Sequence, residues 1–288
     1  MRLLYVSDVV DGREVLSLAE FVGKDIPPYG ILSHTWGADH EEVSFRDFSE
    51  RSPDLEQKPG YHKLLFCIER AMSDGLRYAW VDTCCIDKSS SAELSEVINS
   101  MFRWYLEAKS CYVYISDTLP PSGPVSFGTV MGSKWLKRGW TLQELIASKR
   151  VQFYAKNGTY LGSKHDRKIS LSKKTGIPES ILDGSCPLSD YSVDERFSWL
   201  NGRETKREED MAYCMFGIFD IHMPLIYGEG KKKAMARLRR EIREAATNEA
   251  SESKDSTSHS FSAPKQVAQR PQLTSHSKQL LSRLPPSL

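Results

Sequence analysis

Short apolar runs that alternate between a strand period and a helix period most constrain how this chain folds. Tyr29–Ser33 (YGILS) is an apolar run closed by Trp36-Gly37 and reads as a strand ending in a loop. From Tyr61 to Asp74, Leu64, Leu65, Ile68 and Met72 recur at helical spacing, and Gly75 supplies the stop. Arg77–Ile86 (RYAWVDTCCI) has the β-branched and aromatic content of a buried strand. Ser90-x-x-Glu93 is a capping box, and the helix it opens keeps Leu94, Val97, Ile98, Met101 and Tyr105 on one face. Cys111–Ser116 is the next strand, followed by a Pro/Gly loop over Asp117–Gly132, a short helix over Trp140–Ala147 and a strand over Val151–Tyr154. Units this short predict right-handed crossovers and an α/β fold with a mostly parallel sheet. Ligands of such sheets sit beyond the carboxyl ends of the strands, here beside Ser33-His34-Thr35, Asp87-Lys88 and Ser116-Asp117.

The rest of the ordered chain reads as helical. Ser192-x-x-Glu195 and Thr205-x-x-Glu208 are further capping boxes, and Lys231–Glu244 continues as a helix. The dense apolar segment YCMFGIFDIHMPLIYGEG between them is expected to dock this helical lobe onto the sheet. Past about Ala245 the chain turns to Ser, Thr, Gln, Lys and Pro, which cannot bury enough apolar area to offset the entropy of ordering. The expected division is 1–155 for the α/β core, 156–245 for its helical C-terminal part and 246–288 for a disordered tail.

Charge and cysteine usage narrow the function classes. Lys and Arg number 39 against 38 Asp and Glu, a net charge of +1, so no global field draws the chain to nucleic acid. Six cysteines lack CxxC spacing, and Cys84 and Cys85 are expected on opposite faces of a strand, which fits free thiols in a reducing compartment. No signal peptide, membrane anchor or membrane span is legible, so the expected location is cytoplasmic.

The candidate chemistry is sparse. His34 at a strand end is a general base, a ligand or a structural residue. The group Asp82, Cys84, Cys85 and Asp87 has no second Cys/His pair at zinc spacing, which argues against a metal. Walker, GxGxxG, GxSxG and HExxH motifs are absent. What remains is Trp135–Leu145 (WLKRGWTLQEL), where Trp140 and Glu144 share a helical face. A carboxylate beside aromatic surface can have a raised pKa or meet a cationic ligand. It can equally pair with Arg138 or Lys149, and both readings stay open.

The blocks YGILSHTWG (Tyr29–Gly37), WVDTCCIDK (Trp80–Lys88) and RGWTLQEL (Arg138–Leu145) resemble the three signature blocks of the fungal heterokaryon-incompatibility (HET) domain. EEDMAYCMFGIFDIHMPLIYGEGKKKAMARL resembles the segment that follows it in fungal NLR-like incompatibility proteins. The resemblance runs over nearly all of Met1–Glu244. It implies a cytoplasmic effector that triggers cell death when genetically unlike fungal cells fuse, with self-association into a homo-oligomer and an NLR-like NACHT sensor as partners. Many members carry the NACHT module and WD repeats themselves. This chain shows neither, so a stand-alone effector, a truncated relative or a helper to a separate sensor is expected.

CYVYISD followed by SKWLKRGWTLQEL is similar to the TIR pattern of a strand and then Ser-x-Trp-Cys-x-x-Glu-Leu. That likeness implies a TIR-like, flavodoxin-like sheet with a helical C-terminal lobe. It lays the catalytic glutamate of NAD-cleaving TIR domains on Glu144, with Trp135 and Trp140 competing as counterpart of the motif tryptophan. The reading is an NAD glycohydrolase in which Glu144 holds the nicotinamide ribose, Trp36 or Trp140 stacks on a ring, and Ser33, His34 and Asp82 line the pocket. NAD is then a substrate, with no cofactor. The alternatives are a non-enzymatic assembly module, and nucleotide binding without turnover.

Overall fold

The parallel strands anticipated from the apolar runs occupy the centre of one sheet in the computed structural model, which describes residues 1–10, 13–117 and 127–258. Seven strands stand in the order β2-β1-β4-β3-β5-β6-β7. They are β1 (Arg2–Val10), β2 (Arg13–Glu20), β3 (Tyr29–His34), β4 (Tyr78–Trp80), β5 (Ser110–Ile115), β6 (Val151–Ala155) and β7 (Tyr160–Ser163). The helices are α1 (Phe45–Ser49), α2 (Tyr61–Ser73), α3 (Ser91–Glu107), α4 (Gly128–Gly132), α5 (Thr141–Ala147), α6 (Lys164–Thr175), α7 (Glu179–Leu182), α8 (Val193–Ser198), α9 (Asp210–Tyr213), α10 (Phe216–Phe219) and α11 (Lys231–Ser258).

The four central strands β4, β3, β5 and β6 pair in parallel. Their order is that of flavodoxin-like sheets, in which the chain winds to one side of its first parallel strand and then to the other. The reversal falls between β3 and β5, and there the Thr35 and Ser116 hydroxyls meet at 3.0 Å. Every residue of β3 and β5 is buried, as strands covered on both faces require. Ala71 of α2 lies against Gly30, whose missing Cβ leaves room for the Tyr112 ring: a Cβ there would sit 2.6 Å from Tyr112. On the opposite face Tyr29 donates to the Trp104 carbonyl of α3 at 2.7 Å.

The structure departs from the sequence reading at several elements. The sheet's margins are antiparallel: the β1–β2 hairpin joins β4 through β1, and β7 joins β6. The run read as a strand over Arg77–Ile86 pairs only over Tyr78–Trp80. The chain then turns, closed by the Cys85 N–H to the Val81 carbonyl at 2.9 Å, so Cys84 and Cys85 lie buried in a turn rather than on opposite strand faces. All six cysteines are free. Ser192 forms the full capping box with Glu195. Thr205 instead donates to the Arg207 carbonyl at 2.6 Å, and no helix begins there. The boundary placed at 155 falls at the end of β6, and the part read as helical beyond it contributes the strand β7.

Met1–Glu244 makes one unit and Ala245–Leu288 a second. Helix α11 continues through Ser258, past the boundary set at 245 by composition, and the tail from 259 lies outside the described residues. No described helix is long and apolar enough to cross a membrane.

Candidate functional site

Strand alternation sends Ser33 and His34, the last residues of β3, to opposite faces. Ser33 faces α5. Its hydroxyl donates to the Glu144 carboxylate and accepts the Trp135 indole N–H at 2.8 Å. Glu144 is 5% exposed and Trp135 1% exposed. Trp135 is therefore a buried support behind Ser33, while Trp140 lines a cavity of about 420 Å³.

Glu144, His34, Trp36 and Asp82 line that same cavity. Five of the six residues singled out from sequence thus share one wall, and the sixth, Ser33, bonds to Glu144 from behind. The arrangement follows from topology. His34 ends β3, Asp82 lies two residues past β4, and α5 lies in the crossover from β5 to β6 with Glu144 against Ser33 near the end of β3, so all sit at the carboxyl ends of parallel strands.

Burial pushes the Glu144 carboxyl up to about 8, and the Asp82 charge adds to it, while the Ser33 hydroxyl and the Arg138 cation pull the other way. Among the described residues no cation pairs with Glu144, so neither Arg138 nor Lys149 makes the ion pair that the sequence left open. Burial, then the nearby Lys63, hold His34 down to about 3, so its ring is neutral. Its Nδ1 lies 3.7 Å from Asp82 Oδ1 and its Nε2 3.9 Å from Glu42 Oε2, both too long for hydrogen bonds. His34 Nε2 and Asp82 Oδ1 are buried and unpartnered, which is uncommon for polar atoms at such depth. The other Asp82 oxygen accepts the Trp36 indole N–H at 2.8 Å. The Trp140 indole hydrogen-bonds Asp210, whose carboxyl burial raises.

All seven residues of α5 are buried, so its polar groups need internal partners. Lys164, which burial lowers to about 8, donates to the Leu145 carbonyl at 3.0 Å and the Ser148 carbonyl at 2.5 Å, a cation at a helix C-terminus. Arg203, lowered to about 10 by burial, donates to the Arg138 carbonyl at 2.8 Å and the Thr141 hydroxyl at 3.0 Å. Sequence reasoning singled out neither cation. Each is remote from α5 along the chain, and no periodicity or spacing marks it. Among the described residues no group of three or more His, Cys, Asp or Glu side chains is arranged to hold a metal ion.

Residues 29–127 match the family model described as "Heterokaryon incompatibility protein (HET)". The chain is 50% identical over 250 residues to the vegetative incompatibility protein HET-E-1 of Podospora anserina. The match covers 84% of this chain and spans 18% of that relative's length. Ser33, His34, Trp36 and Asp82 fall inside the residues that match the family model, and Trp140 and Glu144 fall outside them. No solved structure matches the chain significantly. On the family match and the relative together, this chain is a HET-domain protein.

Proposed function

We propose that the chain acts in heterokaryon incompatibility as a cell-death effector that hydrolyses NAD in the cavity beyond β3 and β4. The observation that carries this reading is one buried carboxyl group, Glu144, held by the Ser33 hydroxyl in the wall of a cavity that also presents Trp36 and Trp140. A volume of about 420 Å³ lies in the range of small-molecule sites.

In the reaction the bond between ribose C1′ and the nicotinamide nitrogen breaks, and its electron pair leaves with that nitrogen, discharging the pyridinium. Ionised Glu144 stabilises the oxocarbenium character left on the ribose. Water adds at C1′ and loses a proton, giving ADP-ribose and nicotinamide. Burial keeps the ligand-free carboxyl largely protonated near neutral pH, and a bound pyridinium favours its ionised form. The unpartnered His34 Nε2 and Asp82 Oδ1 supply hydrogen-bonding capacity for ribose hydroxyls. Cytoplasmic action, self-association and a NACHT-bearing sensor are carried into this reading from the family resemblance.

The test is nicotinamide release from NAD by the purified protein, dilute and under crowding that favours assembly. Glu144→Gln is expected to fold and to lose about a hundredfold or more in rate, together with toxicity on overexpression. A folded Glu144→Gln protein that stays fully toxic removes the enzymatic reading and leaves the non-enzymatic assembly module in its place.

A further inference from the structure

The cavity has a polarity that cleavage of the glycosidic bond by itself does not require. Of the carboxyl groups in its lining, Glu42, Glu144 and Asp210 are buried and Asp82 is half-buried, whereas Lys88, Lys206 and Arg207 are exposed along with Asp39, and Arg138 is half-buried. Lys206 is occupied, bonding both Asp39 oxygens at 2.7 and 2.8 Å. Among the described residues, no carboxylate stands at ion-pair distance from Lys88, Arg138 or Arg207.

Two of these three cations rest on aromatic faces. Lys88 Nζ lies 3.7 Å from the Trp36 ring centroid, and the Arg207 guanidinium 4.1 Å from that of Tyr227. An aromatic face orients a cation without cancelling its charge. The three come from separate segments: the turn after β4, the approach to α5 and the loop before α9. The whole chain carries only +1, so their convergence on one opening is not the by-product of a basic protein. A neutral sugar or an apolar ligand leaves all three without a partner. A polyanion reaches them only with its charge outward, because the carboxyl groups at the buried end repel it.

We propose that Lys88, Arg138 and Arg207 form a phosphate-binding cluster, and that the ligand is a nucleoside diphosphate conjugate whose diphosphate lies at the exposed end while its terminal sugar reaches Glu144. This rests on reading the cavity as the glycoside-cleaving site and adds the residues that hold the diphosphate of its substrate. Two guanidinium forks and an ammonium match the oxygens of a diphosphate, and charge-assisted hydrogen bonds of this kind are the strong ones.

Calorimetric titration of the full chain with ADP, ADP-ribose and adenosine tests the cluster without turnover. ADP and ADP-ribose are expected to bind at least about tenfold tighter than adenosine. Raising salt from about 50 to about 500 mM is expected to shrink that advantage, since Lys88 and Arg207 are exposed and Arg138 is half-buried. The double variant Arg138→Gln/Arg207→Gln is expected to lose about tenfold or more for ADP and nothing for adenosine. ADP binding no tighter than adenosine, or insensitive to salt, overturns the proposal. Should the double variant fail to fold by circular dichroism, the ligand series and salt dependence of the parent protein decide the matter alone. Salt-sensitive ADP binding without NAD cleavage sinks the enzymatic reading and keeps the cluster. NAD cleavage with ADP no better than adenosine does the reverse.

Discussion

Glu144 ties stability to pH with a definite sign. Its carboxyl ionises near 4.5 when exposed and at about 8 in the fold, so between these values the folded state holds a proton that the unfolded state has lost. Its contribution to stability is therefore unchanged below about pH 4.5, falls as pH rises toward 8 and is constant above that. Glu144→Gln has no such titration. Its stability relative to the parent is expected to rise by a few kcal/mol between pH 5 and pH 8, read from urea midpoints at the two pH values. An equal difference at both would mean the carboxyl is hydrated. His34, held down to about 3, works in the opposite direction, costing stability as pH falls below about 6.5. Ser33→Ala removes the hydroxyl that favours the ionised Glu144, so the alkaline rise of NAD cleavage is expected to move to higher pH. A pH–rate profile that stays in place would show that Ser33 does not tune the carboxyl.

At the scale of elements, α5 is a seven-residue helix too short to persist without tertiary support, and a buried ammonium caps its end. Lys164→Met keeps the stem's volume and leaves the Leu145 and Ser148 carbonyls without their donor. A loss of roughly 1–3 kcal/mol is expected by chemical denaturation, together with lower kcat in the folded fraction as Glu144 loses its fixed place. Helix α10 meets α3 at Gly217, where an added Cβ would sit 2.0 Å from Phe102 Cβ. Gly217→Ala is expected to cost roughly 1–3 kcal/mol by forcing the two helices apart, with the melting temperature as readout. A variant as stable as the parent would show that the contact yields freely.

For the whole molecule, Met1–Glu244 is a unit by itself, and among the described side chains of α11 the buried apolar ones, Ala234, Leu238 and Ile242, precede its end. Ending the chain after Glu244 is expected to leave the melting temperature within a few degrees of the parent. A larger fall would show that the following segment contributes to the fold. The parallel centre of the sheet was legible because buried strands are near-continuous apolar runs and the helices between them keep a 3.6-residue period. The β1–β2 hairpin was passed over although Leu16 and Leu18 stand two apart around Ser17, since Val15 and Ala19 beside them break the alternation that marks an edge strand.

Sequence by itself determined the α/β alternation and the strand ends where polar residues gather, because each depends on near neighbours along the chain, whereas Glu144 was singled out by the family likeness. Tertiary structure decided the rest. It set Trp135 behind Ser33 and Trp140 in the cavity, buried Glu144 deeply enough to raise its pKa, capped α5 with Lys164 and brought Lys88, Arg138 and Arg207 to one opening. These depend on burial and on charges far apart in sequence. Desolvation and Coulomb energies are set by distance in space, which no local pattern of residues records.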